Sequence, residues 1–255
     1  DDLQIFFATS DGDVRQNALS DFTNVMRNGK IAMKLPDGVS LVNARICDEN
    51  DDIMLVTSGG RAIRFPTTEV RVFKSRGSTG VRGIRLAGED RVVSMSVIRH
   101  FDATPGERAA YLKMRRAQEG LSDEPEAEDE DGAVSAGELS LERFAEMSAQ
   151  EDLILTITQG GSGKLSSSHD YPVRGRGGQG VKAMAGRNGA LIACFPVERS
   201  DQVMLATSTG QSIRCPVEGI SFRSRSAGGV KVFDTAVGEE VVSVARVADQ
   251  GDEEE

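Results

Sequence analysis

Four stretches of this chain repeat one pattern of apolar and polar positions. An apolar or β-branched run is followed by Thr, two further residues and Gly, at residues 5–12 (IFFATSDG), 53–60 (IMLVTSGG), 154–161 (ILTITQGG) and 203–210 (VMLATSTG). The threonines are Thr9, Thr57, Thr158 and Thr207. The first pair lies 48 residues apart and the last pair 49, while the middle pair is 101 apart, one repeat plus about 52 residues. A second glycine follows each Thr by 20 to 23 residues: Gly29, Gly80, Gly180 and Gly229. Two anchors held in register four times define an internal repeat.

Each repeat has room for four short strands. In the second, residues 52–57 are apolar and β-branched, 58–60 supply a tight turn that tolerates positive φ, and 61–65 pair back. A polar linker leads to Gly80, and further strands are expected at 81–86 and 91–97 around a turn at 87–90. The same plan fits 203–247, and Asp11-Gly12, Asp37-Gly38 and Asn188-Gly189 are further turns. Four strands in a unit of nearly fifty residues indicate an all-β, β-propeller-like fold of four-stranded blades. The surplus in the middle differs. Residues 105–119 have helical composition, with Pro105 at the start and Gly120 at the stop, and 139–147 fit a second short helix. The expected organisation is two repeats at 1–98, a partly helical and partly disordered insertion at 99–152, two repeats at 153–248 and a tail at 249–255.

Charge divides along the same boundaries. The 255 residues hold 30 Lys and Arg against 40 Asp and Glu, a net of −10. The insertion carries 15 acids and 6 bases, and the tail 5 acids and no base, so the repeats retain 24 bases against 20 acids. The run at 123–131 is too acidic to bury and is expected as a self-repelling, disordered loop. Within the repeats, bases gather around the second glycine in stretches that contain no acid. These are Arg27, Lys30 and Lys34 in 22–36; Arg71, Lys74, Arg76, Arg82 and Arg85 in 70–88; Arg174, Arg176, Lys182 and Arg187 in 171–189; and Arg223, Arg225 and Lys231 in 219–233. Three repeats spell Gly-Val-base at 80–82, 180–182 and 229–231. Strand neighbours point to opposite faces, so Val is expected inward and the base outward. A recurring row of Arg and Lys with no base-reading apparatus points to sequence-tolerant binding of duplex DNA, which gains from counterion release. The second glycines are expected to let the phosphate backbone approach. The plainer alternative is that these bases solvate exposed strands; recurrence with acids excluded favours DNA.

Other chemistry finds little support. Residues 175–180 (GRGGQG) match a dinucleotide pattern, but a strand rather than a helix is expected to follow. Residues 160–166 (GGSGKLS) suggest a phosphate loop with the wrong spacing, and a hairpin turn is expected there. Tyr111 and Tyr171 are expected in packing, and Met54, Met184 and Met204 in the core. His169 beside Asp170 has no accompanying nucleophile and is expected to make a linker hydrogen bond. Cys47, Cys194 and Cys215 are odd in number and far apart, as buried thiols of a reducing cytoplasm would be. His100 and His169 are too few for most histidine metal sites. No catalytic residue, metal site or cofactor is expected in this chain. No apolar run is long enough to span a membrane and no basic, apolar leader opens the sequence. The first residue is Asp1 rather than Met, as in a fragment.

Residues 76–86 (RGSTGVRGIRL), 29–35 (GKIAMKL) and 171–180 (YPVRGRGGQG), with the acidic end at 252–255, resemble the C-terminal domain of the bacterial DNA gyrase A subunit. The likeness covers both repeat regions, and the acidic insertion departs from it. It implies a β-pinwheel, a propeller variant with exchanged strands, around whose outer rim duplex DNA is wrapped with one handedness. It implies an ATP-driven type II topoisomerase that introduces negative supercoils, with the cleaving tyrosine in another domain and ATP chemistry on the gyrase B subunit. The remainder of the gyrase A subunit, together with the gyrase B subunit, is thus an implied partner, in the bacterial cytoplasm at the nucleoid. The family's box Gln-Arg-Arg-Gly-Gly-X-Gly normally sits in the first blade; its nearest match is 174–180, in a later blade, with Gly175 in place of an Arg. The family domain usually has six blades against the four counted, so the chain is expected to begin after two. The topoisomerase IV A subunit has a similar domain, but the full repeats and acidic tail favour gyrase. Two alternatives stand beside this: a propeller scaffold whose bases meet an acidic protein, and, weakest, an enzyme with a site in the propeller channel. Residues 123–131 and 249–255 are further expected to restrain DNA binding by occupying the basic positions.

Overall fold

Each Thr-x-x-Gly motif folds as a tight turn between two antiparallel strands. The computed structural model describes residues 2–121, 135–186 and 188–248. The first repeat supplies β1 (Gln4–Thr9), β2 (Asp13–Ala18) and β3 (Leu41–Cys47). The second supplies β4 (Asp51–Thr57), β5 (Arg61–Pro66), β6 (Val72–Phe73), β7 (Val81–Arg82) and β8 (Val92–Arg99). Two helices follow, α1 (Pro105–Gln118) and α2 (Leu141–Ala149). The third repeat gives β9 (Leu153–Thr158), β10 (Ser162–Ser167), β11 (Val181–Lys182) and β12 (Leu191–Val197). The fourth gives β13 (Gln202–Thr207), β14 (Ser212–Pro216), β15 (Val230–Lys231) and β16 (Val241–Val247).

The turn explains the first anchor. The amide of Gly60 donates to the carbonyl of Thr57 at 3.0 Å, and the same bond closes the other three turns. The four turn glycines have φ between 83° and 90°, where a side chain would be strained. The threonine hydroxyl accepts the next free amide, from Arg61 to Thr57 at 3.1 Å and from Ser162 to Thr158 at 3.2 Å. In every repeat the register against the last strand also shifts at this Thr, a β-bulge repeated four times.

The sheets run β3-β1-β2-β6 with β7 also on β2, then β11-β5-β4-β8, β12-β9-β10-β15 and β14-β13-β16. The repeats therefore do not keep their own strands. Only the first two residues of the expected strand 81–86 are extended, and they join the preceding repeat: Val81 lies opposite Val14, and Arg82 opposite Asp13. Likewise Val230 lies opposite Gly163 and Lys231 opposite Ser162. The long linker after each of these hairpins carries the chain off its own sheet and onto the edge of the one before.

That crossing explains the second anchor. A Cβ on Gly80 would lie 2.1 Å from the carbonyl oxygen of Val14, and one on Gly180 2.2 Å from that of Ala62. At Gly80 and Gly180 the glycine admits a neighbouring strand, where a phosphate backbone was expected. Gly29 has nothing within 4 Å of such a Cβ, and residues 23–40 form no strand.

The described residues divide into two units, one within 1–100 and 172–181, the other within 101–171 and 182–255. The first is built on Phe6, Val14, Ile53, Leu55, Phe65 and Ile84, all fully buried. The second is built on Leu155, Ile157, Leu165, Val203, Leu205 and Phe222. Each such side chain contributes about 2 kcal/mol by leaving water. The helices belong to the second unit. Thr104 and Glu107 form a reciprocal cap at the start of α1, with bonds of 3.2 and 2.8 Å, and Pro105 takes the first helical position. Ser140 caps α2 through the amide of Arg143 at 3.1 Å. The Tyr111 ring stacks on Phe144 at 5.0 Å. The acidic run 123–131, the tail 249–255 and Arg187 lie outside the described residues.

Candidate nucleic-acid interface

In the second, third and fourth repeats the described bases singled out above sit on the exchanged segments and the loops around them, while Arg27, Lys30 and Lys34 lie in 23–40, which forms no strand. In the first unit, Arg27, Lys34, Arg71, Lys74, Arg82, Arg85 and Arg176 are exposed, and Lys30, Arg76 and Arg174 are half-buried. Two exchanged loops meet within this unit. The amide of Arg85 donates to the Gly178 carbonyl at 2.8 Å, and that of Gly177 to the Gly83 carbonyl at 2.6 Å. Side chains reinforce the junction: Arg176 donates through Nε to the Glu69 carbonyl and through Nη1 to that of Arg82, each at 3.0 Å. Arg76 donates to the Ile31 carbonyl at 2.9 Å. Arg82 is 51% exposed, with its Nε 3.4 Å from an Asp13 oxygen. Burial raises the Asp13 pKa, and the nearby Arg82 charge works against that rise.

In the second unit, Lys182 and Lys231 are exposed at the outward position of Gly-Val-base, beside the buried Val181 and half-buried Val230. The Lys231 ammonium pairs with Asp234, itself exposed. Arg223 is half-buried. Arg225 is a correction, since it is 2% exposed rather than on the surface. Its backbone amide donates to Asp170 Oδ2 at 2.7 Å, its Nε to the Asp170 carbonyl at 2.7 Å, and its Nη1 to the carbonyl of Lys182. The reason is the loop's path, which turns inward at this residue and meets a buried carboxylate.

Three basic side chains that carry these loops were not among the expected site residues. Arg15, on β2, is fully buried and donates to the carbonyls of Ser75 and Ser78, the latter at 2.6 Å. Burial holds its pKa below the usual arginine value, with Arg71 nearby adding to the effect. Lys164, on β10, is fully buried and donates to the carbonyls of Ser224 (2.9 Å), Arg225 and Ala227 (2.8 Å). Arg61, on β5, donates to the carbonyls of Gln179 (3.3 Å) and Gly180 (2.8 Å). Each acceptor strand thus presents a cation to the backbone of the loop it receives. One signal was available: Arg15 and Lys164 each lie six residues after the repeat's Thr. Lys164 also resolves the phosphate-loop lookalike at 160–166, which is a hairpin whose lysine points into the protein.

The other singled-out residues have structural roles. His169 does not pair with Asp170; its Nε2 lies 2.7 Å from the Met147 carbonyl and its ring meets Phe101 and Tyr111 edge-on. The fold instead pairs His100 Nδ1 with the buried Asp52 at 2.8 Å, and the other Asp52 oxygen accepts from Arg64 at 2.7 Å. Tyr111 donates to Glu151 at 2.7 Å, and the Tyr171 and Ser166 hydroxyls lie 3.2 Å apart. Burial pushes the Cys47 thiol up to about 12 and the Cys194 thiol up to about 11. Cys215, expected buried, is half-exposed on β14. Among the described residues, no three His, Cys, Asp or Glu side chains form a metal-sized cluster, and no helix is long and apolar enough to cross a membrane.

Hairpin repeats with bulged last strands, three of their sheets completed by a segment of the next repeat, define a propeller-type repeat domain with exchanged strands. The family model described as the DNA gyrase C-terminal domain, beta-propeller, matches residues 4–48, 51–99, 152–198 and 201–248, one match per repeat. The chain belongs to that family. The DNA gyrase A subunit of Granulibacter bethesdensis is 46% identical over 256 residues, covering 95% of this chain and 27% of that protein. The Rickettsia bellii counterpart is 38% identical over 257 residues, covering 100% and 28%. The chain thus spans about a quarter of the length of these relatives. A solved DNA gyrase A C-terminal domain superposes with a TM-score of 0.67 at 18% identity, over 97% of this chain and 67% of the other. The C-terminal domain of a DNA topoisomerase IV gives 0.70 at 19%, over 96% and 62%. At those identities the likeness is one of fold.

Proposed function

We propose that this chain is a DNA-binding and DNA-wrapping module of a gyrase A subunit, not catalytic by itself. The observation that carries this is the placement of the bases: Arg82, Lys182 and Lys231 occupy one position of the exchanged segment in three repeats, and all three are exposed. Their environment suits phosphates. The side chains stand on backbone that is hydrogen-bonded to the preceding repeat, so little ordering accompanies binding. These side chains are cations placed to meet phosphates, so affinity should be electrostatic and tolerant of sequence. In the holoenzyme, formed in the bacterial cytoplasm with the remainder of the gyrase A subunit plus the gyrase B subunit, the bent duplex would let ATP-driven strand passage introduce negative supercoils.

The test is duplex affinity across a salt series for the unaltered chain and for the triple variant Arg82→Glu, Lys182→Glu, Lys231→Glu. The unaltered chain should give a log–log slope of about −0.9 per phosphate neutralised, and the variant a shallower slope with affinity lower by about tenfold or more. Equal affinities would remove these residues from the interface, and a flat slope for the unaltered chain would overturn the reading.

A further inference from the structure

The buried cations beneath the exchanged loops do more than fasten them. A trans peptide is planar, so the N–H of one residue points opposite to the carbonyl of the residue before it. Arg15 draws the carbonyls of Ser75 and Ser78 inward, which turns the amides of Arg76 and Thr79 away from the buried side. Lys164 does the same to Ser224, Arg225 and Ala227, turning away the amides of Arg225, Ser226 and Gly228. The first of these three is taken up inside the protein: the Arg225 amide, turned from Lys164, holds a carboxylate oxygen of the buried Asp170 at 2.7 Å. The others lie on loop residues that are exposed or half-buried. Gly77, in the middle of the first loop, has nothing within 4 Å of where its Cβ would stand, so the loop is open at that point.

We propose that the outward amides of Arg76 and Thr79 in one loop, and of Ser226 and Gly228 in the other, are backbone phosphate-binding sites, set by Arg15 and Lys164. The proposal rests on the DNA-binding reading and adds neutral donors to the bases named there. An outward amide binds an anionic oxygen through its oriented dipole, and it fixes the position of a phosphate where a flexible Lys or Arg fixes only its neighbourhood. Arg15 and Lys164 are then positioning residues, fully buried and out of reach of the ligand. The ligand chemistry is a phosphate oxygen, supplied by the backbone of duplex DNA or by free inorganic phosphate.

Amide chemical shifts of the unaltered chain test this directly, during titration with a short duplex and separately with inorganic phosphate. With duplex, the amide protons of Arg76, Thr79, Ser226 and Gly228 should move downfield by more than those of the surrounding strands. If inorganic phosphate moves them equally at low millimolar concentration, the sites are general anion sites, and the assignment to duplex DNA is overturned. If duplex binds while the four amides stay still, the amide sites are overturned and the DNA-binding reading survives; absence of any duplex binding overturns that reading instead. Thr79→Pro against Thr79→Ala gives a second measure, since both remove the hydroxyl and only the first removes the N–H. Thr79→Pro should bind duplex about tenfold more weakly than Thr79→Ala, with an unchanged amide spectrum elsewhere. Equal affinities would overturn the first loop's site.

Discussion

Lys164, in a stretch expected as a hairpin turn, is a cation that the fold places inside. Its three carbonyl partners come from a loop about sixty residues further along the chain. Replacing it with Met keeps the apolar stem and leaves those carbonyls without their shared donor. Lys164→Met should lower stability by about 3 kcal/mol, measured by denaturant unfolding, while an exposed base such as Lys74→Met should change it by less than about 0.5 kcal/mol. Asp90 makes a complementary case. Burial alone would raise its pKa, but donors from Thr57, Gly59, Ser58 and Arg91 outweigh that and hold it below the usual carboxylate range. The Gly59 amide donates to it at 2.7 Å and the Ser58 hydroxyl at 2.8 Å. A carboxylate with a depressed native pKa adds stability that is present above its unfolded value, near 4, and is lost as pH falls through the native value. Asp90→Asn should therefore destabilise by about 1 kcal/mol at pH 7, allowing for partial solvent screening, and the gap to the parent should close in acid.

At the scale of elements, strand exchange rests on glycine. Gly80 crosses β2 with no room for a side chain, and no positive φ complicates the comparison. Gly80→Ala should cost about 3 kcal/mol and loosen β7 from β2, visible as faster amide exchange at Val81 and Arg82. Gly77→Ala, three residues earlier in open space, should be close to neutral by the same measurements. The two helices were legible because their ends are chemically marked: Pro105 and Gly120 bracket α1, observed at Pro105–Gln118. The expected strand 81–86 was too long because its apolar residues Ile84 and Leu86 serve the core rather than a ladder. Periodicity reports burial and does not tell a strand from an extended loop packed on one.

For the whole molecule, charge is unevenly divided along the chain. The acidic insertion and tail oppose a basic set of repeats, and we propose that 123–131 and 249–255 compete with DNA for those bases. Deleting either segment should raise duplex affinity several-fold at low salt, and the gain should fade as the Debye length shrinks to about 8 Å at 0.15 M salt. An unchanged affinity at low salt would show that the acids only keep the chain soluble.

The sequence alone determined the repeat, its hairpins, the strand-rich class, the insertion's helices and the recurrence of bases. All of these depend on local turn chemistry or on spacing along the chain, which composition and period record directly. The resemblance supplied strand exchange as an expectation, but only the tertiary structure decided which strand each donated segment joins. It also decided that Gly80 and Gly180 admit a strand, that Arg225 is buried, and that Arg15 and Lys164 lie under the loops. Those outcomes depend on which residues distant in sequence share a sheet edge. An arginine bound to carbonyls and an arginine open to solvent have the same side chain, and what separates them is what lies within about three ångströms.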